Sequence, residues 1–224
     1  MSNVFATILK RDLVIAFLRN GHFFNSLAFF SITTLLLISI LSHGDPKVNL
    51  NLLNVILLPY IFAALLSASE IFQADFNDST LEQLLISGNS SVSIVISKII
   101  VHWLQLFIIL LISVPLLCFI YNINLFLNLF SIYGALFLLS LSISSLVTFA
   151  SALTLRISNG VIISCLIVMP LTIILLLYVA SILNSITENV DSSILVIDIK
   201  ILFALTIVFS LISILACSYV LKKI

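Results

Sequence analysis

Charge is scarce in this sequence. Only 8% of its 224 residues are Asp, Glu, Lys or Arg, against about 25% in an ordinary soluble domain. Nine basic and nine acidic residues cancel, and no polybasic tract suits nucleic acid. Cysteine is equally sparse. Cys118, Cys165 and Cys217 lie apart within apolar runs, so there is no CxxC pair, no c-type haem attachment motif and no zinc spacing. Glycine and proline number five and four, which excludes a collagen-like chain. What is abundant is apolar: 62% of the residues are hydrophobic and the mean hydropathy is +1.35. Such a chain cannot cover its apolar surface with polar groups. Water-soluble, disordered and disulfide-framework classes fall away, and a polytopic all-α membrane protein remains.

Six apolar runs of spanning length lie near 23–42, 50–69, 94–120, 125–153, 161–183 and 201–221. His43-Gly44-Asp45-Pro46-Lys47 makes a turn that no helix crosses. Tyr121-Asn122-Ile123-Asn124 is a tight connection, Arg156-Ile157-Ser158-Asn159-Gly160 a short polar loop, and 184–199 a polar stretch with Glu188, Asp191 and Asp198. Ahead of the first span, residues 3–20 read as an interfacial helix. Asn3, Thr7, Lys10 and Arg11 gather on one side, and Phe5, Ile8, Leu9, Ile15 and Phe17 take the rest. Asp12 falls off the polar side. The plainer alternative is a cytoplasmic extension of the first span. No signal-peptide pattern is read in this region. Six spans put both termini on one side. With the termini cytoplasmic, Lys10, Arg11, Arg19, Lys98, Arg156, Lys222 and Lys223 lie inside, and only Lys47 and Lys200 lie outside. The positive-inside rule selects that orientation. The whole chain, 1–224, reads as one transmembrane domain.

The polar segment 70–92 is the longest cytoplasmic loop. It carries Glu70, Asp75, Asp78, Glu82 and Gln83. Ser79-Thr80-Leu81-Glu82 fits a capping box, with the Ser79 hydroxyl accepting from the Glu82 amide. A short helix over about 80–86 follows, with Leu81, Leu84 and Leu85 on its apolar side and Gly88 as its stop. Such a helix can dock into a soluble partner whose Arg or Lys meets the carboxylates; it can also be a plain solvated connection. Lys98 and His102 are four apart and share a face of the third span. The bland reading has Lys98 snorkelling to the interface and Trp103 in an aromatic belt. The sharper one has His102, a turn inside the bilayer, facing a cavity, a substrate or a haem iron. His22 and His43 read as interfacial polar residues. Pro115 and Pro170 read as kinks or breaks that can line a pathway. Ser140, Ser142, Ser144, Ser145 and Ser151 read as a surface for close helix packing. No Walker A pattern, metal cluster or nucleophile–base pair is present in the sequence, so no catalytic residue is assigned.

Over residues 70–116 the chain resembles the haem exporter protein B family (CcmB), the membrane subunit of the cytochrome c maturation ABC transporter. The resemblance rests on Glu70, Phe72, Asp75, Asp78 and Leu81-Glu82-Gln83-Leu84, then on Lys98, His102, Trp103 and Pro115. Arg156 to Gly160 and Pro170-Leu171-Thr172-Ile173 add to it, and Arg11-Asp12-Leu13 with Ala16-Phe17 matches more weakly. Ser79-Thr80 stands where the family has Gly-Ser, and the prolines usual after the loop are absent at Ser87-Gly88-Asn89-Ser90. The resemblance implies an ABC-2 exporter-like permease in the bacterial inner membrane, with a mitochondrial inner membrane as the lesser alternative. Two copies would pair with two copies of a separate ATP-binding subunit, and 70–92 would supply the coupling helix. It further implies a haem-handling membrane protein with a Trp-rich motif and a periplasmic haem chaperone as partners. Haem would be at most transient and ATP would be bound only by the partner subunit. The alternatives are a drug or polysaccharide exporter of the same class, a non-transporting assembly scaffold, or an intramembrane enzyme. The last is disfavoured by the missing nucleophile.

Overall fold

The computed structural model describes residues 2–19, 22–42, 52–68, 70–120, 129–157, 160–187 and 192–223. The described residues are helical throughout, with no strand among them. Helix α1 (Ser2–Val14) runs into a π-helical turn, Ile15–Arg19. The first span is α2 (His22–Ser42). Helices α3 (Leu52–Val55) and α4 (Leu57–Leu66) come next, and Pro59 is accommodated because it sits in the first turn of α4, where its missing N–H costs nothing. Two short helices follow, α5 (Glu70–Asn77) and α6 (Thr80–Ile86). The remaining spans are α7 (Ser91–Ile120), α8 (Leu129–Leu153), α9 (Gly160–Thr187) and α10 (Ser192–Leu221). Among the described residues six helical segments are long and apolar enough to cross a membrane, the number the sequence predicts; the second, Leu57–Asn77, takes in α4 and α5 rather than 50–69.

Several boundaries differ from the sequence reading. Residues 70–77 form a helix rather than a loop, because Phe72 is fully buried and drives its own turn into the bundle. The capping box does not form. Ser79 adopts a left-handed conformation with φ 56° and makes no side-chain cap, whereas a capping serine needs extended backbone to aim its hydroxyl. Gly88 does stop α6, at φ +82°, in the conformation that favours glycine. Helix α7 starts three residues before the expected span, capped by Ser90, whose hydroxyl accepts from the Ser93 amide at 3.2 Å. Helix α10 begins at Ser192 rather than 201, so Asp198 and Lys200 belong to a helix and not to a polar stretch. Neither proline breaks its span; α7 and α9 run continuously through Pro115 and Pro170. The Leu111 carbonyl that Pro115 leaves without an amide receives the Tyr133 hydroxyl of α8 at 3.5 Å. The turn at 43–47, the connection 121–124, Ser158, Asn159, Glu188 and Asp191 lie outside the described residues.

Helix α8 is the axis of the bundle: 72% of its apolar window is buried, against 22% for α2 and 28% for α9 and α10. Its serines and threonines face inward and tie it to its neighbours. Ser142 donates to Thr206 Oγ1 at 2.9 Å, Ser213 to the Ser145 carbonyl at 2.7 Å, and Ser144 to the Ile99 carbonyl at 2.9 Å. Thr154 and Ser164 share a hydrogen bond of 3.0 Å across the turn into α9. Small hydroxyls let backbones approach, and each inter-helix bond is worth about 0.6 kcal/mol in such settings. The packing reading of the Ser-rich stretch therefore holds. Leu36, Ile40, Leu166, Leu211 and Leu215 are all exposed on α2, α9 and α10, a surface suited to lipid rather than water. A second apolar cluster, with Ile8, Phe72, Leu81, Ile94, Leu155 and Leu221, seats α1, α5 and α6 at the end where α7 begins and α8 and α10 finish.

Two glycines test this packing in opposite senses. A Cβ at Gly160 would meet the Thr154 carbonyl oxygen at 2.9 Å, whereas nothing lies within 4 Å of one at Gly134. Gly160→Ala should destabilise the fold by about 1–3 kcal/mol through overpacking. Gly134→Ala, inside α8, should be neutral or stabilise by up to about 1 kcal/mol. Thermal unfolding in detergent checks both; equal effects at the two sites would refute the packing.

Candidate functional site

The end of the bundle where α7 begins and α8 and α10 finish holds a cluster of four charges on three elements. Asp75, on α5, is 7% exposed. It ion-pairs with Arg11 of α1 through one oxygen and with Lys98 of α7 through the other. Lys98 also lies 3.6 Å from Asp12, which is 3% exposed and accepts from Ser97 at 2.9 Å. Arg11 closes the ring, 3.7 Å from Asp12. The Thr80 hydroxyl reaches Asp75 at 2.9 Å on its carboxylate and 3.1 Å on its carbonyl, so the first residue of α6 is tied to α5 across the Asp78-Ser79 turn. Two cations meet two carboxylates, which is how buried charge is tolerated.

This geometry sorts the sequence candidates. Asp75 faces inward and is engaged by the chain's own cations. Asp78, Glu82 and Gln83 are exposed on the hairpin of α5 and α6, and Glu70 opens α5. Lys98 does not snorkel to solvent; its side chain is 12% exposed and is held by Asp75 and Asp12. Trp103 is anchored between spans rather than set in a belt: its indole N–H donates to Ser140 at 3.1 Å, and its ring packs with Phe107 and Phe137 at 5.8 and 5.0 Å. His102 is 2% exposed, with Nε2 2.7 Å from the Ser67 hydroxyl and Nδ1 3.1 Å from that of Ser144. It joins the end of α4 to α7 and α8. One edge of His102 borders a cleft of about 80 Å³ with Asp12, Ser26, Ser67, Lys98 and Gln105. Pro115 and Pro170 are exposed on α7 and α9, and neither lines this cleft. Among the described residues no three His, Cys, Asp or Glu side chains converge on a metal-sized site.

Sequence reasoning missed Asp12 and underrated Arg11. The signal was present: a carboxylate off the polar side of an amphipathic helix needs a partner inside the protein. Gln105 was also passed over. It donates to the Ala16 carbonyl at 3.2 Å, satisfying backbone that the π-helical turn distorts.

An ion-paired helical hairpin at one end of six apolar helices defines a multi-pass membrane protein. A profile described as CcmB protein matches residues 3–223, nearly the full chain. The chain belongs to the CcmB protein family, which makes it a membrane component of transport. Two curated proteins similar to it are both named Heme exporter protein B. That of Haemophilus influenzae is 28% identical over 192 residues, 84% of each chain. That of Pseudomonas aeruginosa is 29% identical over 196 residues, 86% of each chain.

Removing Lys98 leaves two buried carboxylates with Arg11 as their remaining cation. Lys98→Met should cost about 3 kcal/mol, the lower end of the range for breaking a buried pair, because Arg11 persists. Asp12→Asn in the same background should recover part of that loss. Unfolding midpoints of the two variants measure it; a Lys98→Met effect below about 0.5 kcal/mol would contradict the cluster.

Proposed function

We propose that this chain is the membrane permease subunit of a haem-exporting ABC complex serving cytochrome c maturation in the bacterial inner membrane. A separate ATP-binding subunit docks on the α5–α6 hairpin, and haem is the cargo. The observation that carries the reading is the pairing of family membership with an exposed hairpin whose far side is bolted to the bundle. Asp78, Glu82 and Gln83 form the partner-facing side, and Glu70, at the start of α5, belongs to the same docking element. Asp75 is a positioning residue: it holds the hairpin to α1 and α7 so that force on α6 reaches the spans.

The path inward follows named contacts. Thr80 pulls on Asp75, Asp75 on Lys98, and one turn further along α7 His102 grips Ser67 and Ser144. ATP-driven displacement of α6 thereby moves α4, α7 and α8 as one group. That motion transfers haem to, or releases it from, a periplasmic haem chaperone, beside a haem-handling membrane protein with a Trp-rich motif. Two copies of this chain form the permease. His102 acts in this scheme as a tie between spans, since both ring nitrogens already face serine hydroxyls; Pro115 and Pro170 supply the flexible points of their spans.

Charge reversal on the outer side tests the docking. Placing like charges across an interface costs several kcal/mol, and each 1.4 kcal/mol is about tenfold. The double variant Asp78→Lys/Glu82→Lys should weaken capture of the ATP-binding subunit by at least about tenfold, measured by co-purification in mild detergent. His102→Asn should leave capture intact. Undiminished capture by the charge-reversed hairpin would overturn the assignment.

A further inference from the structure

We propose that the groove between the cytoplasmic ends of α8 and α10 binds an anionic phospholipid, holding its headgroup and upper acyl carbons. Helices α8 and α10 run parallel: Ser142 meets Thr206, Ser145 meets Ser213, and Cys217 lies 3.8 Å from the Thr148 carbonyl. One turn further, a groove of about 170 Å³ opens, lined by Ala152 and Val220 among others. Its walls are apolar, and two of them face outward: Leu153 is 40% exposed and Tyr219 60% exposed. Its rim carries Arg156 and Lys223, both exposed, just past the last turns of the two helices. The Lys223 ammonium sits 4.4 Å above the Tyr219 ring, which fixes one cation against the groove wall. Among the described residues, no carboxylate lines the groove.

These features select a lipid over a soluble ligand. Pockets for small molecules usually span about 300–1,000 Å³, and this groove is too small to enclose one. It is large enough for the part of a lipid nearest its phosphate. Apolar walls that open sideways, capped by cations at the height where the helices leave the apolar layer, match acyl chain below and phosphate above. The Lys223 ammonium can pair with a phosphate oxygen, and Arg156 adds a second positive charge at the rim. The cation-rich side of a membrane protein also faces the leaflet where anionic lipids concentrate. The site is separate from the ion-paired cluster and does not depend on the permease reading.

Native mass spectrometry of the full chain in mild detergent tests the site, with phosphatidylglycerol and phosphatidylcholine of identical acyl chains as probes. Phosphatidylglycerol should be retained preferentially. Arg156→Gln and Lys223→Gln should each weaken it about fivefold, the effect of one interfacial cation, while Lys200→Gln, on the opposite side, leaves it unchanged. Val220→Trp keeps every charge and fills the groove, so it should expel the lipid even if a charge variant folds poorly. Equal retention of the two lipids, or equal loss in Lys200→Gln, would overturn the proposal. Displacement of the bound lipid by millimolar inorganic phosphate would also overturn it, in favour of a soluble phosphate ligand.

Discussion

The contact on which one end of the bundle depends is the double ion pair of Asp75. One carboxylate joins the amphipathic N-terminal helix through Arg11 and the third span through Lys98, and it receives the first hydroxyl of α6. A buried ion pair contributes little net stability over apolar packing of the same volume, but losing one partner is costly. The cluster therefore acts as a register device. It specifies which elements lie together, and the apolar contacts of Phe72, Leu81 and Ile8 then supply the adhesion. Asp12 completes it: with Asp75 alone, two cations would share one carboxylate at the edge of the bilayer.

Rigidity is distributed unevenly around this device. Helix α8 is surrounded and bound by hydroxyls on three sides, whereas α2, α9 and α10 show most of their surface to lipid. A group tied by hydrogen bonds and buried charge moves as a unit when pushed, because packed interiors shift between discrete arrangements rather than deforming continuously. Helices held mainly by apolar contact can slide. The structure thus contains a hydrogen-bonded core, α4 with α7, α8 and α10, connected at one end to a surface hairpin, and a looser periphery. Among the described residues, the polar contacts at the opposite end include Asn54 with Asn184 at 2.7 Å and Ser181 with Asp198 at 2.6 Å.

Much of the architecture was legible in the sequence because lipid imposes one rule: a span needs a long apolar run, and the runs are there to count. The α6 helix and its Gly88 stop were legible for a local reason, since only glycine takes φ +82° freely. Boundaries that hinge on charge were not. Asp198 reads as the mark of a loop, yet it is helical and bonded to Ser181, because a single carboxylate near a membrane boundary can be satisfied by a neighbouring span. Ser79 shows the converse. Its capping pattern is sound, but the tight turn after α5 imposes a left-handed backbone, the cap to the Glu82 amide does not form, and Thr80 instead bonds back to Asp75.

The site itself was half legible. The acidic residues 75, 78 and 82 were visible as a group, but a group of carboxylates does not say which faces in. That is decided by cations distant in sequence, Arg11 and Lys98, and pairing across such separations has no local signature. Asp12 offers the one sequence-level lever. A charge on the wrong side of an amphipathic helix is a debt that some other residue must settle, and here the settling residue is Lys98. Once Lys98 is committed inward, the carboxylate of Asp75 follows it, and the exposed Asp78 and Glu82 are left as the charges the hairpin can offer to another protein. The inward and outward roles of one acidic segment thus follow from the placement of a single lysine.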